Sequence, residues 1–206
     1  MGWWTERVVP QLVDAALRGR EIGAWRERCC DNLTGTVLEL GFGGGLNTRF
    51  YPAEVQRVDA VEPSDRGWQL SRRRRERSPV PVRRVGLDGQ HLAVDDASYD
   101  AVLCTFTLCT IPDPALALAE VHRVLRPGGR LHLLEHGLAE DPRVRRWQRR
   151  LEPVQKRLAG GCHLTRDPVA LLEGAELVVG PVDHAYLLPG RVTAPMTWGT
   201  LATATR

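Results

Sequence analysis

The chain has 206 residues, enough for one α/β core and too few for two ordinary domains, so residues 1–206 are expected to form a single domain, with 1–34 a helical cap and 35–206 the core. A hydrophobic fraction of 43% and a charged fraction of 26% exclude a disordered, fibrous or membrane-embedded chain. The net charge is only +3, and every basic residue but Lys156 is arginine, which points to compositional bias rather than to a nucleic-acid partner.

Residues 3–30 read as helical, with Val9, Leu12, Val13, Ala16 and Leu17 on one stripe and Ile22 and Trp25 continuing it after Gly19. Asp31, Asn32 and Gly35 then turn the chain into Thr36–Leu40, a short apolar run ending in a glycine cluster and expected to be the first parallel strand. Helix signals follow the glycines, and Val55–Glu62 is a second strand. Ser64 and Asp65 are placed to cap a helix carrying Arg72-Arg73-Arg74-Arg75-Glu76-Arg77. That run reads as a solvated face, because no aromatic residues interleave with it as they do in single-strand binders.

Val80–Val85 and Tyr99–Thr107 are expected as strands three and four. Asp113-Pro114 opens a helix that Pro127-Gly128-Gly129 should stop and turn, leading into strand five at Arg130–Glu135. The tail predicts a helix at Asp167–Glu173 and strands at Ala175–Val182 and Thr197–Ala204. Such alternation implies an α/β fold, a Rossmann-like, doubly wound and mostly parallel seven-stranded sheet. Ligands of such sheets bind beyond the carboxyl ends of the strands.

No run approaches the ~20 apolar residues that span a bilayer, and the N-terminus lacks the apolar core of a secretory signal. A cytoplasmic protein without a transmembrane segment is expected, with Trp3 and Trp4 available for peripheral contact with a membrane or a partner. The five cysteines show neither a paired framework nor metal-ligand spacing, so reduced, buried thiols and no metal are expected.

The informative segment is Glu39-Leu40-Gly41-Phe42-Gly43-Gly44-Gly45. Glycines directly after a strand let backbone amides approach a ligand that a Cβ would exclude. Leu46 stands where the dinucleotide fingerprint needs its third glycine, which disfavours a nicotinamide cofactor. Glu62 ends the second strand, where a carboxylate can accept both hydroxyls of a ribose.

These residues resemble the class I S-adenosylmethionine-dependent methyltransferases, whose first motif is an acid followed by alternating glycines. Val61-Glu62-Pro63-Ser64 looks like their ribose-binding segment, and Gly86-Leu87-Asp88-Gly89-Gln90-His91-Leu92 like their G-x-D-A-E-x-L stretch. Ala97-Ser98-Tyr99-Asp100-Ala101-Val102 and Glu120–Gly129 resemble the S-F-D-x-V strand and R-V-L-R-P-G-G turn of the quinone and sterol branch. A narrower likeness to the methyltransferase-like alkyl-thiol S-methyltransferases runs through Cys104–Thr110, Glu135-His136, Trp147-Gln148, Glu152-Pro153 and Gly161–Arg166. Those membrane-associated enzymes begin with an anchor segment that this sequence lacks.

The resemblance implies S-adenosylmethionine as cofactor. It implies that Glu39 balances the methionine ammonium, that Gly41 and Gly43 cradle the donor, and that Glu62 with Pro63 holds the ribose. It likewise implies that Asp88 with Gly89 meets the adenine and that Thr105 to Leu108 line the donor pocket. The implied acceptor is small and lipophilic, a thiol first, and a quinone, phenol or lipid amine second. Methyl transfer from a sulfonium needs alignment and exclusion of water more than a metal. His136, ending strand five, is the candidate general base, with loop closure as its alternative role. Cys162 reads equally as packing or reactive. The aromatic N-terminal helix and the Trp147 segment are expected to cover the acceptor in an apolar pocket. From a different class stands a non-catalytic module that binds the cofactor or nucleic acid.

Overall fold

The computed structural model describes residues 3–206. Seven strands form one sheet: β1 (Gly35–Leu40), β2 (Val55–Val61), β3 (Val82–Gly86), β4 (Tyr99–Thr105), β5 (Leu125–His136), β6 (Val178–Tyr186) and β7 (Trp198–Thr205). Their order is β3-β2-β1-β4-β5-β7-β6. Strands β1 to β5 are mutually parallel, and β7 runs antiparallel between β5 and β6. The central strands are apolar at consecutive positions because helices cover both faces: Val37, Leu38, Val102, Leu103, Leu131, Leu133 and Leu134 are fully buried. Strand order reverses between β1 and β4, and the crevice beyond their carboxyl ends is the place such sheets give to a ligand.

The N-terminal cap consists of α1 (Val9–Leu17) and α2 (Arg20–Cys30), preceded by a π-type turn at Trp4–Val8 and separated at Gly19. Ser64 accepts the Gly67 N–H at 3.0 Å and caps α3 (Asp65–Leu70). Asp113 accepts from Ala115 and Leu116 at the start of α5 (Pro114–Val124). Asp167 does the same for α7 (Pro168–Glu173). Each of these caps satisfies amides that have no partner inside the helix.

Several expected elements are corrected. The helix after the glycines is absent, because Gly41, Gly43 and Gly45 take φ of +68°, +55° and +73°, values through which a right-handed helix cannot run. Turns and a short 3-10 segment at Thr48–Phe50 replace it. The arginine helix breaks at Ser71 into α3 and α4 (Arg72–Arg77). Arg72, Arg73 and Arg77 keep the solvated face that was expected, while Arg74 bridges Asp14 at 2.5 Å and the Gly44 carbonyl at 2.7 Å, and Arg75 lies 3.7 Å over the Trp68 ring.

Pro127-Gly128-Gly129 does not end α5. Leu125 already pairs with Tyr99, and the three residues form an irregularity inside β5 where the register slips. Strand β3 starts at Val82 rather than Val80, and β4 ends at Thr105 rather than Thr107. Strand β6 starts at Val178 rather than Ala175 and continues to Tyr186.

The largest unforeseen element is α6 (Pro142–Leu158), capped by Asp141. Its sequence is dominated by arginine, it contains Pro153, and its one fully buried side chain is polar. Gln148 donates to the carbonyls of Gly137 at 2.8 Å and Pro195 at 3.1 Å, and accepts the Ala139 N–H at 3.0 Å. A polar anchor therefore seats a helix whose apolar stripe, Val144, Trp147, Leu151, Val154 and Leu158, stays half-buried or exposed rather than entering the core. A short α8 (Ala194–Thr197) precedes β7. Among the described residues no helix is long and apolar enough to cross a membrane.

Candidate active site at the ends of β1, β2 and β4

The bend after β1 carries the first requirement. Gly41 and Gly43 need the left-handed backbone that glycine tolerates. An added Cβ at Gly41 would overlap Thr107, whereas at Gly43 it would meet nothing nearer than the Gly41 carbonyl oxygen at 3.9 Å. Gly43 thus keeps an open face beside the bend. Gly44 lies against Asp14 of α1 and Arg74 of α4, so the cap is fastened to this turn.

Glu62, one residue past β2, meets the bend directly. The Gly43 N–H donates to its Oε2 at 2.6 Å and the Ser64 N–H to its Oε1 at 2.7 Å. The carboxyl is only 5% exposed, and burial pushes its pKa up against those two amides and Arg84. A carboxylate offers about four acceptor positions; two are taken here, which leaves two for a vicinal diol. Pro63 is exposed next to it.

Glu39 belongs to a buried network that sequence reasoning missed. Tyr51 donates its hydroxyl to Glu39, and Asn47 donates to Glu39 at 3.0 Å and to the Thr105 hydroxyl at 3.0 Å. Arg26 of α2 donates to Asn47 at 2.7 Å and Thr105 at 2.8 Å. Burial raises the Glu39 pKa to about 7, against the Tyr51 and Asn47 hydrogen bonds and the Arg26 charge. The available signal was an arginine on the apolar stripe of α2, where Ile22, Cys29 and Cys30 are buried with it.

Thr105 is therefore committed to this network, and Leu108 is a fully buried member of the core cluster with Leu40 and Cys104. Within the segment Thr105 to Leu108, it is Thr107 whose side chain lies against Gly41. Its hydroxyl donates to the Leu40 carbonyl at 3.2 Å. Glu135 holds this bend in place by accepting the N–H groups of Thr107 and Leu108, the latter at 2.8 Å.

Asp88 is half exposed and turned into its own loop, accepting from the Gln90 N–H at 2.9 Å and contacting His91 at 3.1 Å. These contacts hold its carboxyl below the usual range. Gln90, in turn, accepts the Asp113 N–H at 2.8 Å and ties this loop to the start of α5. Gly89 packs near Leu40 and Ile111, which brings the loop back to the end of β1.

His136 ends β5 and is buried against Cys162. Its Nε2 lies 3.0 Å from Cys162 Sγ, its Nδ1 is buried without a partner among the described residues, and it is 8% exposed. Burial opposes its charge, yet the contact with Cys162 wins and raises its pKa. The expected apolar enclosure is not formed by the tryptophans: Trp3, Trp4 and Trp147 are 65%, 41% and 54% exposed. Trp4 instead donates its indole N–H to the Leu158 carbonyl at the end of α6.

A parallel sheet with a glycine bend after β1, an acid after β2 contacting that bend, and a seventh strand inserted antiparallel defines the Rossmann-like methyltransferase class. Residues 38–133 match the methyltransferase domain family. The chain is 38% identical over 147 residues to the thiol S-methyltransferase TMT1B of Rattus norvegicus, covering 68% of this chain and 59% of that protein. It is 34% identical over 167 residues to the human (Homo sapiens) thiol S-methyltransferase TMT1A, covering 79% and 65%. The chain thus spans about three fifths of the length of these relatives. It is also 34% identical over 120 residues to the demethylmenaquinone methyltransferase of Thermus thermophilus, covering 54% and 53%. In fold it is similar to a SAM-dependent methyltransferase from Thermotoga maritima, with a TM-score of 0.70 at 21% identity over 100% of this chain and 99% of the other. Residues 38–133 of the chain thus carry a methyltransferase domain.

Proposed function

We propose that the chain transfers the methyl group of S-adenosylmethionine to a small lipophilic acceptor, a thiol in preference to a phenol, quinone or lipid amine. The observation that carries the cofactor half is the junction of the Gly43 amide with the Glu62 carboxyl at 2.6 Å. It sets two free acceptor positions next to an open glycine face. In this reading Glu62 binds the ribose hydroxyls, with Pro63 fixing the chain beside it. Gly41 and Gly43 let the backbone approach, and Glu39 balances the methionine ammonium. Asp88 and Gly89 border the adenine. The bound cofactor supplies an electrophilic methyl group with a neutral thioether as leaving group, so alignment and water exclusion are what the protein must add.

The thiol preference rests on kinship with thiol S-methyltransferases over 68% of the chain and on the state of His136. Its Nε2 is engaged by Cys162, so it is poorly placed to take a proton from an acceptor. A thiol, with pKa near about 8.5, supplies some thiolate at neutral pH unaided, whereas a phenol near about 10 needs a base. Incubation with methyl-labelled cofactor and a matched panel of alkyl thiols, phenols, demethylated quinols and amines tests this. Labelled thioether is the expected product. Label on a quinol or phenol with none on any thiol would transfer the assignment to the quinone branch, and cofactor binding without any product would make the chain a binding module.

A further inference from the structure

The sequence gives no metal-ligand spacing, yet the fold brings Cys109, His136 and Cys162 together. Their ligand atoms all lie within 4.8 Å of one another, and all three residues are buried. Cys109 follows the bend after β4, His136 ends β5, and Cys162 sits in the loop after α6. We infer that these three side chains form a binding site for a thiophilic divalent cation, zinc first.

Three observations carry the inference. The first is spacing. Tetrahedral zinc with Zn–S of about 2.3 Å separates two sulfurs by about 3.8 Å, and Cys109 and Cys162 stand 3.7 Å apart. A nitrogen ligand at about 2.0 Å sits about 3.5 Å from a sulfur, so the 3.0 Å contact of His136 with Cys162 has to open by about half an ångström.

The second is the freedom of the imidazole. Cys162 is its one polar partner among the described residues, so turning Nε2 onto a cation breaks no other bond.

The third is preorganisation. Gly160 and Gly161, at φ of +62° and +94°, double the chain back after α6. The Gly161 N–H donates to the Lys156 carbonyl at 2.8 Å, and the His163 N–H to the Cys109 carbonyl at 2.8 Å. The last bond locks the Cys162 loop to the backbone of the other thiol ligand. His136 pairs with Gly199 in the sheet. All three ligands thus hang from fixed backbone, as a metal site requires.

Two thiols and an imidazole are a soft donor set that favours zinc or copper(I) over magnesium or calcium. Ligation displaces the thiol protons to solvent. Three protein ligands leave the fourth position to water or to an external thiolate.

The test is titration of the reduced, full-length protein with cobalt(II), followed by zinc(II). One equivalent of cobalt giving thiolate-to-metal charge-transfer bands, displaced by zinc and lost in the Cys109→Ser/Cys162→Ser double variant, is expected. Absence of those bands in the wild-type protein overturns the inference, and so does their persistence in the double variant. X-ray absorption of the zinc-loaded wild type decides it without any variant: scattering from two sulfurs is expected, and a shell of oxygen and nitrogen alone overturns the site.

Discussion

Replacing Glu62 separates binding from scaffolding at the proposed donor site. In the wild type the carboxylate receives two amide hydrogen bonds, from Gly43 at 2.6 Å and Ser64 at 2.7 Å. Hydrogen bonds to a charged group contribute about 1.5–3 kcal/mol each. Gly43 and Ser64 are partly solvent-accessible, so water replaces some of what is lost and the lower end applies. Glu62→Ala should therefore reduce folding stability by about 3 kcal/mol, read from urea denaturation. Two further bonds to the ribose hydroxyls are lost with the same group, which weakens cofactor affinity by about 3 kcal/mol, or roughly 100-fold in Kd. Glu62→Gln keeps one acceptor oxygen but sets its NH2 against one of the two amides. It should cost less stability than Glu62→Ala and still lose most of the affinity. Isothermal titration with S-adenosylmethionine or its demethylated product gives both Kd values. A folded Glu62→Ala protein that binds within threefold of wild type would refute the ribose assignment and reduce Glu62 to a clasp on the glycine bend.

The two glycines of the bend should respond differently to one added carbon. Gly41→Ala combines a φ of +68° with overlap against Thr107, so a large drop in melting temperature is expected. Gly43→Ala meets only the φ strain of about 1–2 kcal/mol and should stay folded while losing cofactor binding in the same titration; equal loss of stability in both would contradict the open face at Gly43. For Glu39 the folded pKa, about 7, lies above the ordinary glutamate value of 4.5, so the folded chain binds that proton more tightly than the unfolded one. Its stability contribution, about 3 kcal/mol by linkage, is full below the unfolded value and is lost as pH rises through about 7. Infrared difference spectra should show a protonated carboxyl band on the acid side of that value that disappears on the alkaline side and is missing in Glu39→Gln; no difference between the two proteins would remove Glu39 from this role.

The same physics divides what was legible in the sequence from what was not. Glycines after an apolar run, an acid ending the next strand and an aspartate-proline helix start are local signals, and each acts within a few residues of itself. They placed all seven strands to within a few positions and brought Gly41, Gly43 and Glu62 into one site. Helix α6 carried a periodic signal that was not read, Val144, Trp147, Leu151, Val154 and Leu158 at steps of three and four; only its seat, the hydrogen bonds of Gln148 to Gly137 and Pro195, leaves no such trace. The helix expected after the glycine bend is replaced by turns and a 3-10 segment at Thr48–Phe50, because composition does not reveal how the chain leaves a bend of positive φ.

Sequence alone therefore determined the alternation of strands and helices, the glycine turn after the first strand and the acid that ends the second, since each is encoded by neighbouring residues, and the resemblance of those motifs to a known family supplied the cofactor class. Only the tertiary structure decided that Arg26, Asn47, Tyr51 and Thr105 enclose Glu39, that Thr107 covers Gly41, and that Cys109, His136 and Cys162 converge. Those groups come from segments far apart in the chain, 53 residues in the case of the two thiols. Their meeting depends on how the strands stack side by side, which no local pattern records.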